Sequence, residues 1–290
     1  MSGDSPLRRR PDLLVSPACR ALVEHGALVA VNHSGGKDSQ CMTILLSRIV
    51  PREQLVAVHA PLGEVEWPGT IEHIENTLPP GVPLIVAPVT SGKTLLEQVE
   101  ERGMWPSKSA RWCTSGAKRG PIERELRRYL KAHPRFEGRL VNALGIRRDE
   151  SRDRARRIPW RGNERMSVAG REVYDWLPVF ELSTEDVFRV IAEAGQSPHP
   201  VYSFGLTRCS CSFCIFASRS DLRRAAELRP DLYAKYVQLE RRIAHTLSPT
   251  RKYLPELTGI PVESAVRTLP RPRGLKGDIP AQRRAASASR

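Results

Sequence analysis

Two stretches of the chain concentrate the residue types that do chemistry. Ser34-Gly35-Gly36-Lys37-Asp38-Ser39 puts two glycines, an ammonium, a carboxylate and two hydroxyls into six residues. Adjacent glycines let the backbone approach a ligand closely and turn its amides into one concavity. A helix that starts there adds its dipole, so the turn suits a phosphate. Its spelling excludes two common phosphate loops, because the triphosphatase loop needs four residues between its first glycine and Gly-Lys-Ser/Thr, and the dinucleotide fingerprint needs G-x-G-x-x-G. The second stretch holds Cys209, Cys211 and Cys214, the last two as C-x-x-C. A tetrahedral site or cubane cluster needs four ligands, and Cys113 in "ARWCTSGAKR" is the natural fourth. A 4Fe-4S cluster is the first expectation and zinc the second, with His199 as a replacement for Cys209. Free or buried thiols are the plain alternative, and Cys19 and Cys41 read as ordinary core cysteines.

Basic side chains surround these stretches. Arg111 and Lys118 flank Cys113, while Arg147, Arg148 and Arg154 follow the apolar run "RLVNALGI", which ends near Gly145. Forked guanidinium groups suit phosphate or sulfate. Glu150 and Ser151 could position that loop or bind ribose. His33 either contacts a phosphate or packs at a strand end.

The elements that must position these groups are legible as alternating periodicities. Short apolar runs at 27–32, 54–60, 83–89 and 139–146 read as strands, and helices are expected after the glycine turn, at 70–77, from Lys93 and in "PIERELRRYLKAH". "YDWLPVFEL" reads as a last strand, and "STEDVFRVIAEAG" as a helix capped by Ser183. This alternation predicts an α/β, Rossmann-like parallel sheet with helices on both faces. The basic segment from Ser151 to Gly170 reads as a long mobile loop. A helical, cysteine-rich extension follows, with two helices separated near Pro230. The expected organisation is a flexible N-terminal segment over 1–20, a nucleotide-binding domain over 21–182, the extension over 183–260 and a basic, disordered tail over 261–290.

Composition narrows the partners. Lys and Arg total 46 against 32 Asp and Glu, a net charge of +14. Seven basic residues against one acid lie from Val266 onward, leaving a surplus of eight on the body. Polyanions, DNA or RNA among them, are therefore candidate partners. No apolar run of about 18 residues exists, so no membrane span is expected. No export signal is read at the start, and the expected location is cytoplasmic.

The string SGGKDS resembles the PP-loop of the ATP pyrophosphatase superfamily, which has an adenine nucleotide alpha hydrolase-like fold. "AVHAPLGEVEWPGT", "SARWCTSGAKRGP", "GIRRDESRDRARR", "DWLPVFELSTEDV" and "RCSCSFCIFAS" resemble, in order, the phosphoadenosine phosphosulfate reductase domain family, over roughly 27–245. Similarity extends to the DNA phosphorothioation sulfur-insertion enzymes. The resemblance implies an adenine nucleotide, ATP or a sulfonucleotide, bound by Ser34, Gly35, Gly36, Lys37, Asp38, Ser39, Gly145, Arg147, Glu150, Ser151 and Arg154, with magnesium. It implies catalytic roles for Lys37, Asp38, Arg111, Cys113 and Lys118, and a metal on Cys113, Cys209, Cys211 and Cys214. Pro61 stands where relatives carry an aspartate, so Glu64 or Glu66 would have to substitute. True phosphoadenylyl sulfate reductases use a cysteine in a Glu-Cys-Gly-x-His string near the C-terminus, and this chain has no cysteine after Cys214. The expected activity is therefore ATP-dependent adenylyl or sulfur transfer to an acceptor, with a sulfur donor such as a cysteine desulfurase. A sulfonucleotide reductase with a relocated thiol and a non-catalytic nucleic-acid binder are the alternatives.

Overall fold

The computed structural model of the chain describes Leu13 and residues 15–261. Most of the expected N-terminal segment, and the expected tail after residue 261, lie outside the described residues. Six strands form one sheet: β1 (Leu28–Asn32), β2 (Leu55–His59), β3 (Leu84–Val86), β4 (Arg139–Leu144), β5 (Trp160–Gly162) and β6 (Glu172–Trp176). Their order is β3-β2-β1-β4-β6-β5, parallel throughout except for β5, which runs antiparallel to β6 at the edge. The helices are α1 (Pro17–Glu24), α2 (Lys37–Leu46), α3 (Thr70–Thr77), α4 (Leu95–Arg102), α5 (Trp112–Thr114), α6 (Gly120–Ala132), α7 (Arg152–Ala155), α8 (Thr184–Glu193), α9 (Arg219–Leu228), α10 (Pro230–Arg242) and α11 (Leu254–Thr258).

Strand alternation decides which side chains face which layer. Val29, Val31, Leu55 and Ala57 pack on one face with Cys19 of α1, Met42 and Leu46 of α2, and Val187 and Val190 of α8. Leu28, Ala30, Val56 and Val58 pack on the other with Leu126 and Leu130 of α6 and with Phe136. Both faces are covered, which is why β1 and β2 read as continuous apolar runs. A third cluster joins Leu95 and Val99 of α4, Trp105, Leu222 of α9, Tyr233 and Tyr236 of α10, and Leu254 of α11 to Leu62, Val65 and Trp67 beyond β2. Ser183 caps α8 by accepting from the Asp186 amide at 3.1 Å, and the Asp186 carboxylate returns the contact to the Ser183 amide at 3.1 Å.

The chain steps outward from β1 to β2 and β3, then returns to lay β4 on the other side of β1. The carboxyl ends of β1 and β4 therefore flank a crevice where open α/β sheets bind ligands. A polar line crosses the sheet at this level. Asn32 Nδ2 donates to Asn142 Oδ1 at 2.7 Å, and Asn142 Nδ2 donates to Asp175 Oδ1 at 2.8 Å. Asp175 also accepts from Asn163 Nδ2 at 2.9 Å and from Arg161 Nη2 at 3.1 Å.

The segment expected as a mobile loop holds α7 and the edge strand β5 instead. Trp160 stacks on Tyr174 with ring centres 4.9 Å apart, and Arg161 pairs with Asp175. These are tertiary contacts, so a segment with few aliphatic side chains gave no local sign of a strand.

At the opposite end of the sheet Gly138 has φ +71°, and a Cβ there would lie 2.2 Å from the Gly170 carbonyl oxygen. Because the obstacle is backbone, Gly138→Ala should destabilise the fold by about 2–3 kcal/mol. A urea midpoint equal to that of the unsubstituted protein would refute this.

Candidate nucleotide site

The PP-loop leaves β1 at His33 and enters α2 at Lys37. Gly35 takes φ +77°, and a Cβ on it would meet Thr70 Cγ2 at 2.7 Å, so α3 closes tightly on the turn. Gly36 precedes the first residue of α2, and its cap position makes no side-chain hydrogen bond. Ser39 ties the turn together, since its Oγ donates to the Gly36 carbonyl at 2.9 Å and accepts the Ser34 amide at 3.1 Å. Gly145, past β4, lies against this helix start, and a Cβ there would stand 3.1 Å from the Ser39 nitrogen. The structure thus brings Ser34, Gly35, Gly36, Lys37, Asp38, Ser39 and Gly145 together.

Charge in the crevice is organised around Asp38. Its Oδ2 takes Lys37 Nζ at 2.9 Å, and its Oδ1 takes Arg147 Nε at 2.6 Å. Arg147 is 2% exposed, and its guanidinium also donates to Asp149 Oδ2 at 2.7 Å, the Leu182 carbonyl at 2.9 Å and Thr184 Oγ1 at 3.0 Å. This arginine, expected as an anion ligand, is engaged by four protein acceptors. Burial alone would lower its pKa, but Asp38 and then Asp149 hold it raised. Glu150 accepts the Arg147 amide at 3.0 Å and pairs with Arg154, while Ser151 caps α7 through the Arg154 amide at 3.2 Å. Arg148 is turned outward to Glu181 at 2.7 Å. Desolvation, then the like charges of Arg161, Arg111 and Arg154, lower Arg157, so these arginines lie within electrostatic reach of one another.

Of the two acids near Pro61, Glu66 faces inward. Its Oε2 accepts the Leu62 amide at 3.3 Å and lies 3.3 Å from His59 Nε2. Glu64 pairs with Lys235 of α10.

His33 is 2% exposed, and burial, then the neighbouring charges of His73 and His59, hold its pKa down at about 3. Its Nδ1 accepts the Gly35 amide at 3.1 Å, which leaves the proton on Nε2, a buried atom with no hydrogen-bond partner. Burial, then His73, holds His199 at about 4, against the Glu66 charge.

The cysteines approach the site from the C-terminal cluster. Cys113, Cys209, Cys211 and Cys214 are all free thiols. Lys118, within the wider π-type turn Ser115–Arg119, lies among them: burial lowers its pKa, but Cys211, Glu66, Cys214 and Cys113 together leave it raised, and Lys118 in turn acts on Cys209. Arg111 is exposed and sits over the Phe216 ring at 5.8 Å. Cys209 packs on the loop itself, its Cβ 3.4 Å from where a Gly36 Cβ would stand. Burial, then the Glu66 charge, pushes the Cys209 thiol up to about 12.

In donor chemistry the four thiols suit iron or zinc. They are not gathered for it: among the described residues no three His, Cys, Asp or Glu side chains stand close enough to hold a metal ion. Magnesium meets a different constraint. Asp38 is already neutralised by Lys37 and Arg147, so it offers the ion no free carboxylate.

Residues 28–217 match the family model of the phosphoadenosine phosphosulfate reductase domain. The chain belongs to that family. Among curated relatives, the uncharacterized protein MJ0973 of Methanocaldococcus jannaschii is 26% identical over 217 residues, which is 75% of this chain and 48% of the relative. The uncharacterized 37.8 kDa protein in the gpa 5' region of Escherichia phage 186 is 28% identical over 154 residues, 53% of this chain and 44% of the relative. The chain therefore spans about half the length of the curated relatives it matches. Among solved structures, it is similar to a phosphoadenylyl-sulfate reductase from Candida auris in a phosphate complex, with TM-score 0.45 and 14% identity over 68% of this chain and 89% of that one. It is also similar to a Candida glabrata FMN adenylyltransferase in complex with FMN and an ATP analogue, with TM-score 0.40 and 13% identity over 64% of this chain and 54% of that one.

One residue at this family's loop escaped the reading of the sequence. Tyr202 takes the Lys37 amide on its hydroxyl at 3.0 Å, although 165 residues separate them. No local spacing in "SPHPVY" signals such a contact. Burial, then Cys209, pushes its phenol pKa up against the backbone hydrogen bond from Lys37.

The histidines set an acid limit. His33 at about 3 and His199 at about 4 stay neutral in the folded protein, whereas unfolded imidazoles start to bind protons below 6.5. Stability is therefore full above about pH 6.5 and is lost as pH falls towards 4, by up to about 1.4 kcal/mol per pH unit for each histidine. In His33→Asn, whose Oδ1 can take the Gly35 amide, the pH dependence of the urea midpoint should be shallower by about one proton. An unchanged slope counts against this assignment.

Proposed function

We propose that this protein uses ATP to transfer an adenylyl group, or sulfur by way of an adenylated acceptor. The observation that supports it best is the PP-loop, in which Gly35, Gly36 and the first turn of α2 surround Lys37 beside a charge-neutralised Asp38. The loop amides and Lys37 would hold the β- and γ-phosphates. An acceptor nucleophile would attack the α-phosphorus, forming its bond there as the bond to the bridging oxygen breaks and pyrophosphate leaves. Charge grows on that leaving group, so fixed donors aimed at it lower the barrier. Lys37 Nζ is the mobile donor, and Asp38, tethered by Arg147, keeps it over the loop. Arg111, Arg154 and Arg157 form a basic side on which an anionic acceptor, nucleic acid among the candidates, would lie.

The cysteine set is the second part of this proposal. Cys113, Cys211 and Cys214, with Cys209 as fourth, would hold a 4Fe-4S cluster or zinc only once the segments that carry them draw together, since no three of these side chains stand close enough as described, and a bound cluster would supply sulfur or redox chemistry. Lys118 would offset thiolate charge. A donor such as a cysteine desulfurase would supply the sulfur.

One observation favours a second reading. Cys209, whose Cβ lies beside Gly36, would serve a sulfonucleotide reductase, in which a thiolate attacks sulfur, forms an S-sulfocysteine and releases adenosine 3',5'-bisphosphate, after which thioredoxin thiols release sulfite. A thiol at about 12 is seldom ionised, which weighs against it.

Lys37→Ala should lower ATP-dependent pyrophosphate release by about 100-fold or more in kcat/KM, measured below the melting temperature of the variant. Release from ATP that requires an added acceptor, nucleic acid being the first to try, supports adenylyl transfer. Sulfite release from phosphoadenylyl sulfate that is lost in Cys209→Ser would replace it with the reductase reading. Anaerobically purified protein should absorb near 400 nm and contain iron if the cluster is present. A colourless protein free of iron and zinc removes the metal from the proposal.

A further inference from the structure

The contact between Tyr202 and the PP-loop leaves a hydrogen-bonding group unspent beside the proposed anion site. Tyr202 Oη accepts the amide of Lys37 at 3.0 Å. A Cβ on Gly36 would stand 3.3 Å from the same oxygen, so the phenol rests against the loop backbone, where an added side chain would press on it. Its ring is fixed edge-on by Phe188 of α8, with centres 5.6 Å apart at 90°, and Lys37 Nζ lies 5.9 Å from the ring centre. A phenol is protonated at neutral pH at its ordinary value and carries one donor beside its acceptor sites. The oxygen also takes a backbone hydrogen bond from Cys209, and among the described residues no acceptor takes the phenol proton.

We propose that Tyr202 is a ligand residue of the nucleotide site, whose O–H donates to an anionic oxygen of phosphate or sulfate held at the first turn of α2. The hydroxyl lies in series between the Lys37 amide and the anion. A donor that itself accepts a hydrogen bond is polarised by it, so the positive end of α2 is carried one atom layer further than its backbone reaches. The same side chain joins the loop to the Cys209 segment, which makes that segment one wall of the anion site. This inference rests on the adenine-nucleotide reading.

Four probes, inorganic pyrophosphate, ATP, phosphoadenylyl sulfate and adenosine, would be titrated calorimetrically into the full chain and into Tyr202→Phe. Tyr202→Phe should lose about tenfold in affinity for the anion it contacts, as expected for a hydrogen bond to a charged group, and should bind adenosine unchanged. Loss for pyrophosphate and ATP identifies the oxygen as phosphate, and loss for phosphoadenylyl sulfate alone identifies it as sulfate. Equal or tighter anion binding overturns the assignment, because a hydroxyl that merely capped the Lys37 amide would free that amide on removal. If the unsubstituted protein binds none of the four, the nucleotide reading fails and this inference with it. Should Tyr202→Phe not fold, [13Cζ]tyrosine NMR of the unsubstituted protein serves instead, the Tyr202 signal being assigned by elimination among the six tyrosines. That signal should move on addition of pyrophosphate or phosphoadenylyl sulfate, and a signal that stays still under both overturns the proposal.

Discussion

The Asp38–Arg147 pair is the contact on which the rest of the site depends. A carboxylate and a guanidinium taken out of water cost more than their mutual attraction returns unless every remaining lone pair and proton is used. Arg147 meets this condition through Asp149, the Leu182 carbonyl and Thr184, and Asp38 meets it through Lys37. The pair therefore ties α2, the turn after β4 and the start of α8 across one crevice. Two cations and two carboxylates nearly cancel there.

Around this centre the three cores divide the work. The two sheet faces hold the loop-bearing strands parallel and in register, and neither contains a group that reacts. The third core, built from α4, α9, α10 and α11 on the segment beyond β2, carries the thiols to the loop. The PP-loop and the cysteines are thus presented by separately packed layers that meet at Gly36, Tyr202 and Cys209.

What could be read from residues alone follows how local each cause is. The glycine turn, the apolar strands and the capped α8 are written in runs of ten residues or fewer, and they appear where spacing places them. The edge strand β5 is not, because its cause is Tyr174 and Asp175 on another strand. The site divides in the same way. Lys37, Asp38 and Ser39 are legible as a motif, whereas the engagement of Arg147 depends on Thr184 and Leu182, more than thirty positions away. Charge type predicted that this arginine would serve an anion, and the anion it meets is the protein's own Asp38. Tyr202 lay beyond reach because its partner is a backbone amide, which no side-chain pattern reports.

The polar line from Asn32 through Asn142 to Asp175 has a consequence for the assembly of the sheet. Apolar strands are interchangeable partners, and valines and leucines pair almost equally well one position along. Amides that must meet amides and a carboxylate are not, since a slip of one residue would leave Asn142 buried against aliphatic side chains with nothing to bond. The line acts as a key cut at the ligand-binding ends of the strands. It penalises misaligned sheets at the level where misalignment would misplace the loop, and so spends polar burial on selecting a single geometry.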